Sequence, residues 1–94
     1  MIALVTGETT VRNKTGLHAR PASMFSAEAG KFSSKITVKN LNTDSQEVNA
    51  KSVMRVMTLA MGQGTQIRIS AEGADEEEAL KSLLNLVDSC FGEE

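Results

Sequence analysis

The residues best suited to chemistry fall in one segment, Gly16-Leu17-His18-Ala19-Arg20-Pro21, which holds the single His and the single Pro of the chain. An imidazole of ordinary pKa is largely uncharged at pH 7, and its free ring lone pair is a nucleophile toward phosphorus or an acyl carbon. Arg20 adds a permanently charged planar fork that suits a phosphoryl group. Pro is tolerated in the first turn of a helix, and the spacing of apolar residues predicts a helix over Pro21 to Lys31. The start of that helix presents unpaired N–H groups and a positive dipole end, which favours an anion by roughly 0.3–1 kcal/mol at an exposed site. Two starts are compatible with the sequence. His18 caps the helix and leaves the N–H groups of Ala19 and Arg20 free, or Arg20 caps it because a residue before Pro is biased away from helical geometry. Both put His18 at the positive end. With no Walker loop, no set of metal-binding acids and no second base, the cluster is suited to accept a phosphoryl group and hand it on, not to bind a nucleotide and catalyse alone. A lone His near a turn is more often a plain surface or capping residue, and a four-residue pattern does not by itself decide the matter.

The elements that must position this cluster are legible from periodicity. Ile2 to Val11 is rich in β-branched residues and reads as a strand, with Gly7 as a bulge or strand start, and Asn13 to Gly16 as a turn. In the helix that follows, Ala22, Phe25, Ala29 and Phe32 face the core, and Gly30 lies near its C-cap. Ser34 to Lys39 alternates with Ile36 and Val38 on one face. Asn40 to Ser45 is a polar turn and Gln46 to Asn49 a short strand. Ser52 to Ala60 reads as a short helix N-capped by Ser52 and broken by Gly62-Gln63-Gly64. Thr65 to Ala71 alternates again, with Ile67, Ile69 and Ala71 inward. The last helix opens on the Asp75-x-x-Glu78 pattern and carries Leu80, Leu83, Leu84, Val87 and Phe91 on one face. The order is β-α-β-β-α-β-α, an α+β open-faced sandwich with a four-stranded antiparallel or mixed sheet.

Composition bounds the rest. Ninety-four residues of which 40% are hydrophobic make one small domain, 1–94, with one core. Ten Lys and Arg against twelve Asp and Glu give a net charge of −2, without the cation surplus a nucleic-acid binder needs. Aromatic residues at 3% leave no stacking platform for single strands. The apolar run Ile2 to Val5 is far short of a membrane span and lacks the features of a signal peptide, so the expected location is the cytoplasm. Cys90 is the only Cys, which excludes an intrachain disulfide, and metals and cofactors are not expected. Cys90 is expected as semi-buried filler, Glu93 and Glu94 as a frayed end.

Asn13 to Ser23, with Gly16-Leu17-His18-Ala19-Arg20-Pro21 at its centre, closely resembles the active-site segment of HPr, the histidine-containing phosphocarrier family of the phosphoenolpyruvate-dependent sugar phosphotransferase system. Lys51 to Leu59 resembles the family's regulatory-serine segment, and Gly64 to Leu80 its last strand and the start of its final helix. The likeness runs through nearly the whole chain in the right order. It implies an HPr-like open-faced sandwich, a four-stranded antiparallel sheet with three helices on one face. By the same resemblance His18 is phosphorylated at the ring nitrogen nearer the backbone and Arg20 stabilises the phosphohistidine, with Gly16, Ala19 and Pro21 in support. Enzyme I donates the phosphoryl group and sugar-specific enzyme IIA domains receive it. Ser52 matches the serine modified by an ATP-dependent HPr kinase/phosphorylase, and Leu17, Val53, Met54 and Met57 match partner contacts. Such a chain is a phosphocarrier, not a stand-alone catalyst, and nothing in it demands more than a monomer.

The residues themselves support a plainer reading of the same positions. Ser52 is a capping hydroxyl worth about 1 kcal/mol, although a helix N-cap also suits a phosphate of about −1.5 to −2 charge. Some of Val53, Met54 and Met57 must point inward for the short helix to pack. Two positions depart from the family pattern. Arg55 stands where the family usually has Gly, adding a long cation beside the docking patch. The Asn40 to Gln46 link is longer than the usual tight turn and is expected to tolerate insertion. The rival reading of function is a regulatory module acting through phospho-Ser52 on a catabolite-control transcription factor. The family's regulatory paralogue lacks the active His, which this chain retains. A third reading is an α+β binding domain without phosphoryl chemistry.

Overall fold

In the computed structural model, which describes residues 4–92, strand β1 (Val5–Thr10) leads to helix α1 (Ala19–Ala29), strands β2 (Lys35–Asn40) and β3 (Val48–Asn49), helix α2 (Val53–Thr58), strand β4 (Gln66–Glu72) and helix α3 (Glu76–Asp88). Ile2 and Ala3 of the expected first strand, and the expected frayed end at Glu93 and Glu94, lie outside the described residues. The strands form one four-stranded antiparallel sheet in the order β1-β4-β2-β3. β4 and β2 are the two inner strands: β2 buries Ile36, Val38 and Asn40, and on β4 Ile67, Ile69 and Ala71 are each fully buried. They meet Ile36 and Val38 of β2, and above them lie Ala22, Phe25 and Ala29 of α1 and Ala79, Leu83 and Val87 of α3. On the opposite face Glu8 pairs with Arg68 through both Nε and Nη2, at 3.1 and 3.0 Å.

Several expectations about local structure are corrected. Gly7 is neither a bulge nor a strand start. It lies within a continuous β1–β4 register opposite Ile69, and a Cβ there would come within 2.8 Å of Leu84 Cδ1, so its bareness lets α3 lie close to the sheet. Gly30 is the C-cap of α1 but in right-handed geometry, with φ −66°. Phe91 is not on the α3 face. The helix ends at Asp88, and the chain bends through left-handed Cys90 (φ 60°) and Phe91 (φ 55°), which returns the Phe91 ring to the core at 1% exposure. In α2 Val56 is fully buried and the C-cap Leu59 nearly so, and Val53 and Met57 pack against the same core, so part of the Val53, Met54 and Met57 group does turn inward as expected. Val53 and Met57 are half-buried, and Met54 is 80% exposed. At the start of the link after β2, Asn40 Nδ2 donates to the Leu59 carbonyl (2.9 Å), and the Gln66 amide donates to Asn42 Oδ1 (2.6 Å).

Asp75 is the N-cap of α3, as the Asp75-x-x-Glu78 pattern predicts, but its side chain makes no capping bond. Its carboxylate instead accepts from the amides of Ser33 (2.9 Å) and Ser34 (3.0 Å) and from the Ser34 hydroxyl (2.5 Å), tying α3 to the turn between α1 and β2. The Ser34 hydroxyl, aided by the two amides, holds its carboxyl below the usual carboxylate range. A lowered folded-state pKa means stability that is fully present above the unfolded value and is lost as pH falls through the folded one. Asp75→Ala is therefore expected to lower the melting temperature at neutral pH. The gap from the parent chain should close on acidification below about pH 4. Melting curves of both chains from neutral to acid pH check this; a gap independent of pH would contradict it.

Candidate functional site

The site is built from the segment that enters α1 and the loop that leaves α2. His18 is the N-cap of α1, with extended geometry (φ −129°, ψ 150°), and makes no side-chain capping bond. Of the two starts open in the sequence, the structure adopts the one at His18. Ala19 then takes a left-handed conformation, φ 47°. For a non-Gly residue this carries strain of about 1–2 kcal/mol, a feature that tends to gather where a fold holds a reactive group in a set direction. Pro21 falls in the first helical turn and is buried, where its missing N–H removes no ladder bond.

Gly16 explains why the segment lies where it does. With φ +67° it packs against the loop after α2, and a Cβ on it would stand 2.5 Å from the Met61 carbonyl oxygen and 2.6 Å from Gly62 Cα. The next amide, that of Leu17, donates to the same Met61 carbonyl at 2.7 Å. Asn13 closes the turn behind it, with Nδ2 donating to the Gly16 carbonyl at 2.9 Å. Gln63 Nε2 reaches back to the Arg12 carbonyl (3.1 Å), and the Gly64 amide to that of Val11 (2.7 Å). The loop is thus stapled along both sides. It leaves a shallow depression of about 220 Å³ lined by Thr15, Leu17, His18, Ala60, Met61 and Gly62.

His18, Ala19 and Arg20 are exposed. Among the described residues the ion pairs are Lys31–Glu28 and Arg68–Glu8, so the Arg20 guanidinium is not engaged by a carboxylate there. An exposed imidazole, a helix start with uncapped amides and a free guanidinium on the first turn together form a place where a nucleophile and an anion can coexist. Among the described residues no group of three or more His, Cys, Asp and Glu is arranged to hold a metal ion.

Leu17 is a correction. It was expected among the partner contacts, but its side chain is only 1% exposed and belongs to the core, because the Gly16 turn and the Leu17–Met61 bond draw it inward. Ser52 is the N-cap of α2, and its Oγ accepts from the Arg55 amide at 3.3 Å. It stands at the opposite end of α2 from the loop that lines the His18 depression. Ala60 was missed. Its left-handed backbone (φ 51°) turns the loop toward His18, but Ala has no preference for that conformation, so the residue type gives no signal.

The family model described as the PTS HPr component phosphorylation site matches residues 5–89. The chain belongs to the HPr family. The phosphocarrier protein HPr of Xylella fastidiosa is 46% identical over 87 residues, covering 93% of this chain and 94% of that protein. The HPr-like protein Crh of Bacillus subtilis is 46% identical over 80 residues, covering 85% of this chain and 91% of Crh. The crystal structure of HPr-C-His from Thermoanaerobacter tengcongensis superposes with a TM-score of 0.89 at 51% identity, over 96% of this chain and 98% of that one. The chain spans only 18% and 21% of the multiphosphoryl transfer proteins of Haemophilus influenzae and Vibrio cholerae that it also matches. The open-faced α+β sandwich of the HPr family is the fold observed, and phosphocarriers of the phosphotransferase system are the relatives that share it.

Proposed function

We propose that this HPr-family chain carries a phosphoryl group on His18, taking it from phospho-enzyme I and passing it to enzyme IIA domains. The observation that carries the reading is an exposed, uncapped His18 at the start of α1 with the unengaged Arg20 on the same turn. In the forward step the imidazole nitrogen nearer the backbone attacks phosphorus, the N–P bond forms, and the donor's bond to phosphorus breaks. Arg20 and the first amides of α1 neutralise the oxygens during transfer. Delivery reverses the same step, and no electron or metal is required. Gly16, Ala19 and Pro21 hold the imidazole at the helix start. Val53, Met54 and Met57 form the apolar patch that a partner covers, with Met54 as its most exposed member. Phosphorylation of Ser52 by a kinase places charge at the edge of that patch and weakens docking to an acidic partner. The carrier acts as a monomer in the cytoplasm; no described helix is long and apolar enough to cross a membrane.

The test is intact mass after incubation with phosphoenolpyruvate and catalytic enzyme I. A single phosphoryl adduct, lost in acid and stable in alkali, is expected. If that adduct fails to form while ATP and a serine kinase give an acid-stable one on Ser52, the regulatory reading replaces the carrier.

A further inference from the structure

We infer that Arg55 is the ion-pair partner of a phosphoryl group on Ser52, so that this chain neutralises part of its own regulatory charge; the inference rests on the proposed phosphorylation of Ser52. The Ser52 hydroxyl and Arg55 already share one turn, since Oγ accepts from the Arg55 amide at 3.3 Å. Ser52 is the N-cap and Arg55 the third residue of α2, so both side chains belong to the opening turn of the helix. The Arg55 guanidinium is exposed and has no carboxylate partner among the described residues. No acid stands in the first turn of α2 to compete for it.

The other nearby cation is already used. Lys51 precedes Ser52, but its Nζ donates to the Phe32 carbonyl at 2.8 Å and is drawn toward the turn between α1 and β2. The elements packed on α2 offer few further charges. β3 carries none, and α1 carries Arg20 and Glu28, the latter engaged by Lys31 and Ser82. A phosphoserine therefore has one free fork within its own turn. A guanidinium takes two phosphate oxygens at once, as an ammonium does not. Where Gly occupies this position the full phosphate charge would face an incoming partner. Here a cation offsets part of it, so phosphorylation of Ser52 becomes a weaker brake on docking.

The experiment uses the full chain with phosphoserine inserted at position 52 during translation, which needs no kinase. Phosphorus NMR then follows the second ionisation of the phosphate in the parent chain and in Arg55→Gln, Arg55→Lys and Arg20→Gln. The phosphate pKa is expected to be lower in the parent than in Arg55→Gln by roughly 0.3–0.7 unit, with most of the shift restored in Arg55→Lys and little of it left at 1 M salt. Equal values in the parent and Arg55→Gln would overturn the pairing. So would a shift that survives in Arg55→Gln and vanishes in Arg20→Gln, which would assign the phosphate to the active-site arginine. Enzyme I transfer is measured on the same chains, each relative to its own unphosphorylated form. Deeper inhibition in Arg55→Gln than in the parent supports the weaker brake. If phosphoserine leaves transfer unchanged in both chains, the regulatory role of Ser52 and the brake fail together, while the titration still decides the ion pair.

Discussion

Replacing His18 with Ala abolishes the phosphoenolpyruvate-dependent adduct and leaves folding stability within about 0.5 kcal/mol of the parent chain. The two halves of this expectation have separate causes. The chain has no other His, so no second imidazole can take over as acceptor. The side chain is exposed and makes no capping bond, so its removal orphans no donor and opens no cavity. Ala also accepts the extended backbone that His18 adopts at the cap. Intact mass and thermal melting on the same preparation check both halves. A persisting acid-labile adduct would move the acceptor elsewhere. A fall of several degrees in melting temperature would mean that the imidazole is structural and not held in reserve for transfer.

That contrast between chemistry and framework also explains what could be read in the sequence. His18, Arg20 and Pro21 were legible because their chemistry lies in residue type and adjacency, and the inward rows Ile67-Ile69-Ala71 and Ala22-Phe25-Ala29 because burial follows a period of two or of 3.6. Features set by distant chain were not legible. Leu17 looks like a surface contact beside His18, and only the loop around Met61, which accepts its amide, shows why it is buried. Asp75 fits the residue pattern of a helix cap, yet the amides of Ser33 and Ser34 compete for its carboxylate and win. Val56, more than Val53 or Met57, anchors α2, because the phase of so short a helix is decided by packing against its neighbours rather than by its own periodicity. The left-handed residues Ala19 and Ala60 belong to the same group: nothing in an Ala announces that the tertiary structure will bend it against its preference.

Gly16 is where framework and chemistry meet, and Gly16→Ala is expected to destabilise the fold by about 2–4 kcal/mol, lowering the melting temperature by roughly 10–20 °C. Two terms add. The left-handed backbone at φ +67° strains any L side chain, and the new Cβ would lie 2.5 Å from the Met61 carbonyl, which must retreat. That carbonyl accepts the Leu17 amide, so its retreat loosens the hydrogen bond that fixes the approach to His18. The obstacle is backbone on both sides and cannot be cleared by a side-chain rotation. Gly62→Ala is the matched control: a Cβ there meets nothing within 4 Å, and its φ lies outside the left-handed region, so it should stay within about 0.5 kcal/mol of the parent. Melting curves of the two variants separate the interpretations. If Gly16→Ala melts with Gly62→Ala, the loop yields freely and does not position the imidazole. If only Gly16→Ala falls, the apposition of these two backbone segments is what presents His18 to a partner.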